Sequence, residues 1–219
     1  VGCVPGAMAS NVITMTARGN VSYSVGLTTS ATIVCPIITP LALYLTLGKF
    51  ASAEMLMKAS LSLFREVVIP VILGFVICQR WQRFSEMVRS PANVLANLAV
   101  LWIIAVVVAR ARAEFSGLTI TLMIALLLVN TLGYAAGYFG GGALGLNEGM
   151  RRALMIEVGM QNAGLGAKIA GDLFPDAKGA GIPCVLFAFL CVFTATLLAR
   201  WFAAQPVPGT VPVGGMSPE

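Results

Sequence analysis

Charged residues divide this chain into long apolar runs. Between Arg18 and Lys49 lie 30 residues without a charge, 20 more run from Ser90 to Ala109, and 33 separate Glu114 from Glu148. A helix needs about 20 apolar residues to cross a bilayer, so each run predicts a span. A third span is expected from about Ala59 to Gln79, with Arg65 and Glu66 near one end, Pro70 inside it and a charge-free stretch of 13 residues. The span through Ile120 should finish near Tyr138, because GYFGGGALG reads as a loop, and the last should run from Gly179 to Leu198, stopped by Arg200 and Trp201. Pro36 and Pro40 should kink the far half of the span after Arg18, which membrane helices tolerate where neighbours satisfy the freed carbonyls.

Two further segments are apolar but interrupted. The first, residues 1 to 17, carries Pro5 and Gly6 ahead of MASNVITMTA, with Ser10 and Asn11 near the start of a half-span. The second runs from Arg151 and Arg152 through EVGMQNAGLG to about Leu173, where FPDAKG closes it. Counting both, seven crossings are expected, and four spans begin between the two breaks, which puts the breaks in opposite orientations. The odd count places the chain ends on opposite sides of the membrane. A cytoplasmic C-terminus puts Arg18, Arg80, Arg83, Arg89, Arg151, Arg152 and Arg200 inside against Lys49, Lys58, Arg110, Arg112 and Lys178 outside, the orientation favoured by the excess of inside cations.

Composition agrees. Of 219 residues, 58% are hydrophobic and 11% charged, and the mean hydropathy is +0.89, far outside soluble composition. The protein is expected to be an all-α integral membrane protein. Its net charge of +5 resides in short loops, a pattern of membrane orientation rather than nucleic-acid binding. There is no histidine, which removes a ligand or base from the common zinc and Ser-His-Asp chemistries, so an enzyme is not expected. The five cysteines, Cys3, Cys35, Cys78, Cys184 and Cys191, are odd in number, form no C-x-x-C pair and read as small packing residues. The opening VGCVPG reads as the middle of a motif, so an N-terminal portion is expected to precede it. The tail 205–219, rich in Pro, Gly, Ser and Val, is expected to be disordered.

The chemistry concentrates in EVGMQNAGLG. A carboxylate at membrane depth costs several kcal/mol, about 3 or more, unless compensated, so a cation is expected beside Glu157. Glu157 and Gln161 are four apart and would share a helix face, while Gly159, Gly164 and Gly166 weaken the helix and free carbonyls. This describes a cation site on a broken helix, the arrangement of secondary transporters. Each residue also has a plainer reading. Glu157 could pair with Lys168 or Arg152, although spacings of eleven and five place those cations three turns away and on another face. Ser24 and Thr28 could bond their own helix carbonyls, Ser10 and Asn11 could cap a half-helix, and Gln161 and Asn162 could join helices. Gly140 to Gly142 read as a loop, Arg80, Arg83 and Arg89 as an orientation signal, and Lys168 as a side chain that snorkels.

PGAMASNVITMTARGNVSYSVGLTTSATIVCPIITP, residues 5 to 40, together with EVGMQNAGLG, resembles the bile acid:sodium symporter family, including its bacterial and plastid members. The resemblance implies two inverted five-helix repeats, of which this chain would hold the last seven helices. It further implies a core domain in which two broken helices cross, here 1–48 and 118–200 with the broken helix at 148–173, and a panel domain, 59–111, that moves against it. The missing N-terminal helices, two of the panel and one of the core, would be partners from the same chain. Carried over by position, a first sodium site falls on Ser10, Asn11, Ser24, Thr28 and Glu157. A second falls on Glu157, Gln161 and the backbone carbonyls of Val158 and Met160, with a glutamine from a helix not in this chain. Two sodium ions, and a small organic anion held by Asn162, Asn11 and the helix N-termini at the breaks, are therefore expected, in a bacterial inner membrane. The chain lacks the last-helix histidine of some bile-acid-binding members and has Met8 where some carry threonine, which brings a smaller carboxylate such as pantoate or a keto acid forward. Proton coupling through Glu157, or a fragment that does not transport, are the alternatives to sodium symport.

Overall fold

The computed structural model describes residues 1–48, 52–110, 120–177 and 179–205. Within them the chain is helical, with α1 Ala9–Thr16, α2 Val21–Leu47, α3 Ala53–Leu63, a π-helical turn Phe64–Val68, α4 Ile69–Arg80, α5 Gln82–Arg110, α6 Ile120–Ala143, α7 Glu148–Gly159, α8 Ala163–Leu173 and α9 Ile182–Ala203. Among the described residues, Val21–Leu47, Ala53–Arg80, Ile120–Ala143 and Ile182–Ala203 are long and apolar enough to cross a membrane. The 20-residue charge-free run lies inside α5. The second broken segment keeps its expected limits, 148–173, as α7 and α8. Most of the tail, and Lys49, Arg112, Glu114 and Lys178, lie outside the described residues.

Local signals explain the helix ends. Asn20, Asn147 and Asn162 each accept a hydrogen bond from a backbone N–H three residues on, at 2.9, 3.0 and 3.0 Å, and so cap α2, α7 and α8. Arg18, with φ of 54°, and Gly48, with φ of 54°, follow the C-termini of α1 and α2. The third span starts at Ala53 rather than Ala59, because Ser52 accepts from Met55 N–H and Glu54 pairs with Lys58 across one turn at 2.7 Å. These charges extend the helix instead of ending it. Inside the same span Pro70 removes one N–H, and the chain widens to the π-helical turn just ahead of it, a known way to absorb a helix irregularity.

The largest departure from the sequence expectation is α6, which continues past Tyr138 to Ala143. Its glycines form a groove rather than a loop. A Cβ at Gly133 would stand 3.0 Å from the Val158 carbonyl, and one at Gly137 would stand 2.6 Å from Met155 Cα. At Gly142 a Cβ would lie 3.2 Å from the Arg151 guanidinium. Small residues one turn apart let two membrane helices approach at backbone distance, and here they seat α7 on α6. Gly137→Ala is therefore expected to destabilise the protein by about 1–3 kcal/mol through overpacking. Gly140→Ala, where nothing lies within 4 Å, should leave the melting temperature in detergent at or slightly above wild type, and equal losses at both sites would reject the groove.

Ile156, Met160, Phe187, Cys191, Ala195 and Phe202 form the centre of a core between α6, α7 and α9, joined by Ala17 after α1. One edge of it is sealed by charge. Arg152, 1% exposed, donates to Glu148 Oε1 at 2.8 Å and to the carbonyls of Ala17 and Phe202 at 3.0 and 3.1 Å. One guanidinium thereby donates to carbonyls at two helix C-termini, where they favour a cation. The last helix also runs beyond its expected end, Leu198, to Ala203. Arg200 lies in its final turn, and Trp201 stacks edge-on against Phe202 at 4.7 Å. Cys35, Cys184 and Cys191 are buried as expected of packing residues, whereas Cys78 is exposed; all five are free thiols.

Candidate functional site: a carboxylate at the crossing of two broken helices

The two interrupted segments meet. Ala7 N–H donates to the Met160 carbonyl at 3.0 Å and Asn162 N–H to the Pro5 carbonyl at 2.8 Å, an antiparallel pair centred on Gly6 and Gln161. Residues 5–7 thus cross residues 160–162 in extended form. From that crossing α1 leads away after Met8, and α7 and α8 diverge on either side of the other strand. Gln161 consequently does not share a helix face with Glu157, as its spacing suggested. It reaches the site from the unwound strand, because α7 ends at Gly159.

Glu157, on the last turn of α7 and 7% exposed, points into the crossing. Its Oε2 accepts from Ser10 Oγ at 2.5 Å and from Thr28 Oγ1 at 2.9 Å. Thr28 Oγ1 also lies 3.0 Å from the Ser24 carbonyl, so its single proton is shared between its own helix and Glu157. Ser24, fully buried on the same face of α2, has its hydroxyl 3.3 Å from that of Thr14. Ser10 does not cap α1; its hydroxyl is spent on Glu157. Asn11 donates to the Met8 carbonyl at 3.3 Å.

The cations considered as partners for Glu157 lie elsewhere. Arg152 binds Glu148, and Lys168 does not snorkel free but lies 2.6 Å from both Glu66, in the π-helical turn, and Asp172. Among the described residues no cationic side chain reaches Glu157. Instead, among the described residues, three buried oxygens on the two interrupted segments have no hydrogen-bond partner: Glu157 Oε1, Asn11 Oδ1 and Gln161 Oε1. Buried acceptors are rarely left so, since each costs about 1–3 kcal/mol.

This donor set fits a hard monovalent cation. It offers one carboxylate, two amide oxygens and hydroxyls, with no cluster of three His, Cys, Asp or Glu side chains among the described residues, which is oxygen chemistry rather than soft-metal chemistry. Of the carbonyls singled out from the sequence, that of Val158 has lost its helical partner, because Asn162 N–H turns to Pro5. That of Met160 accepts from Ala7 and retains a second lone pair. Asn162 uses its side-chain oxygen to cap α8, leaving its NH₂ as a donor.

A profile of the Sodium Bile acid symporter family matches residues 1–118. The chain belongs to this family. Over 212 residues it is 32% identical to an uncharacterized sodium-dependent transporter, YocS, of Bacillus subtilis, covering 94% of this chain and 63% of that protein. It is 30% identical over 209 residues to BASS1, a probable chloroplastic sodium/metabolite cotransporter of Arabidopsis thaliana, covering 94% of this chain and 51% of the relative. Against the ileal sodium/bile acid cotransporter of Oryctolagus cuniculus the identity is 25% over 216 residues, covering 95% and 62%. The chain thus spans about half to two thirds of the length of these relatives. Family membership and the apolar helices identify an integral membrane protein of a transporter family, not an enzyme.

Sequence reasoning missed Gly6 and Thr14 at this site. Gly6 carried a signal, a glycine after proline just before a half-helix, but only the approach of Glu157 gives it meaning: a Cβ there would fall 2.1 Å from Oε1.

Proposed function

We propose that the protein is a sodium-coupled symporter of a small organic anion, working by alternating access. The observation that carries this reading is the trio of buried oxygens on Glu157, Asn11 and Gln161, on the two interrupted segments, that have no partner among the described residues. Ser10, Asn11, Ser24, Thr28 and Glu157 would hold one sodium ion. Glu157, Gln161 and the Val158 and Met160 carbonyls would contribute to a second. Two ions on one carboxylate leave a net charge of about +1, and in a low dielectric an organic anion is drawn to it. Asn162 and Asn11, beside the N-termini of α8 and α1, are the residues assigned to that anion, since helix N-termini favour negative charge. With no histidine in the chain and Met8 two residues before the Ser10–Asn11 pair, a carboxylate of pantoate or keto-acid size is preferred to a bile acid. Residues 1–48 and 118–200 would form the core and 59–111 the moving panel, with the C-terminus in the cytoplasm of a bacterium and the protein in its inner membrane.

The test compares thermal unfolding in detergent in sodium and in choline at equal ionic strength. A ligand that binds only the folded state adds about 2.7 kcal/mol at 100 times its dissociation constant, so sodium should raise the melting temperature. No response to sodium, with a response to pH alone, would replace sodium by proton coupling.

A further inference from the structure

Behind the break in α7, on the side away from the crossing, α6 and α9 build a polar chain that the ion ligands do not use. In an unbroken helix the Gly159 carbonyl would accept from Ala163 N–H, but that N–H bonds Gln161 O at 2.8 Å. Asn130 of α6, fully buried, takes its place: its Nδ2 donates to the Gly159 carbonyl at 3.0 Å. The amide orientation is fixed by chemistry, because its Oδ1 accepts from Thr194 Oγ1 of α9 at 2.7 Å and a carbonyl needs the NH₂ as its donor. Tyr134, one turn after Asn130, places its hydroxyl 3.1 Å from Thr194 Oγ1 and 3.1 Å from the Cys191 carbonyl. Its ring lies flat against Gly159, where a Cβ would approach to 2.1 Å.

We propose that Asn130, oriented by Thr194, is a positioning residue for cation binding, holding the Gly159 carbonyl so that Glu157 and Gln161 converge. This rests on the cation reading of the crossing given above. Only Val158, Gly159 and Met160 separate those two side chains. Ala7 and Pro5 hold the strand from the crossing side, and Asn130 holds it from the bundle side. Without that bond the Gly159 peptide is free to rotate, and the orphaned oxygens of Glu157 and Gln161 lose their common focus. A buried polar chain in which every member is satisfied rigidifies its surroundings, and here the rigid object is an unwound strand with few other ties.

Sodium titrations of thermal unfolding, with choline keeping ionic strength constant, separate positioning from mere packing. Asn130→Ala should shift the sodium midpoint upward by tenfold or more. Thr194→Val, which keeps the shape and removes the orienting hydroxyl, should shift it about threefold, and the double variant no further than Asn130→Ala alone, because both act through one bond. If the variants melt lower in choline but keep the wild-type sodium midpoint, Asn130 is a packing residue and the proposal fails. Should Asn130→Ala not fold, Thr194→Val and Tyr134→Phe carry the same comparison. A wild type that ignores sodium would overturn the cation reading itself, a result recognisable before any variant is made.

Discussion

Glu157→Gln is expected to abolish the sodium-dependent rise in melting temperature while leaving the protein folded. Glutamine keeps the size of glutamate and one carbonyl oxygen, so Ser10 and Thr28, which donate to Glu157 at 2.5 and 2.9 Å, retain an acceptor. What disappears is the charge. In choline the carboxylate has no cationic side chain against it among the described residues, and an uncompensated buried charge is strongly destabilising. The variant should therefore melt at or above wild type in choline and below it in saturating sodium. The crossing of these two orders, read by unfolding at matched ionic strength, is the signature of a charge kept for an ion. If the variant retains the sodium response, Glu157 is not the ligand and the assignment of both sites collapses.

Gly6→Ala should lose sodium binding by a different route. The added methyl would fall 2.1 Å from Glu157 Oε1 and 2.6 Å from its carboxyl carbon, well inside contact distance. Two relaxations are open: the carboxylate turns away from Ser10 and Thr28, or the strands separate and break the Ala7–Met160 and Asn162–Pro5 hydrogen bonds. Either removes the convergence of oxygens, and the overpacking adds about 1–3 kcal/mol of destabilisation. Gly26→Ala, in the second turn of α2 with nothing within 4 Å, provides the control, since alanine in a helix is better than glycine by about 1 kcal/mol. The two substitutions should thus change stability in opposite directions. A Gly6→Ala protein with normal sodium response would mean that the strands cross less closely than described.

Much of the site was legible from spacing. Ser24 and Thr28 are one turn apart on α2 and both face the crossing, as an i, i+4 pair must. Glu157 stands out because a lone carboxylate inside an apolar segment is costly wherever that segment packs. The limits of α7 and α8 follow from caps and glycines close in sequence. The helix count likewise rests on charge-free runs, each a local quantity. Yet locality also caused the errors. Gly140 to Gly142 look like a loop to any reading that scores each residue against water, but they continue α6, and Gly141 and Gly142 lie against Arg151 of α7, where a Cβ would come within 3.3 and 3.2 Å of its side chain. Glu54 and Lys58 look like a helix end until they are seen to pair with each other. Lys168 has one partner within its own helix, Asp172 four residues on, but its second, Glu66, lies 102 residues away and outside any local reading.

Sequence alone therefore determined that this is a bundle of membrane helices with two interruptions, and singled out one carboxylate within them, because insertion in a bilayer and the cost of a buried charge depend on windows of about 20 residues. Tertiary structure alone decided which oxygens are left without partners, why Gly6 has no side chain, and that Asn130 stands behind the break. Those properties belong to backbones brought within a few ångströms of each other from distant parts of the chain, where a single methyl or a single N–H decides the outcome and no local window contains both partners.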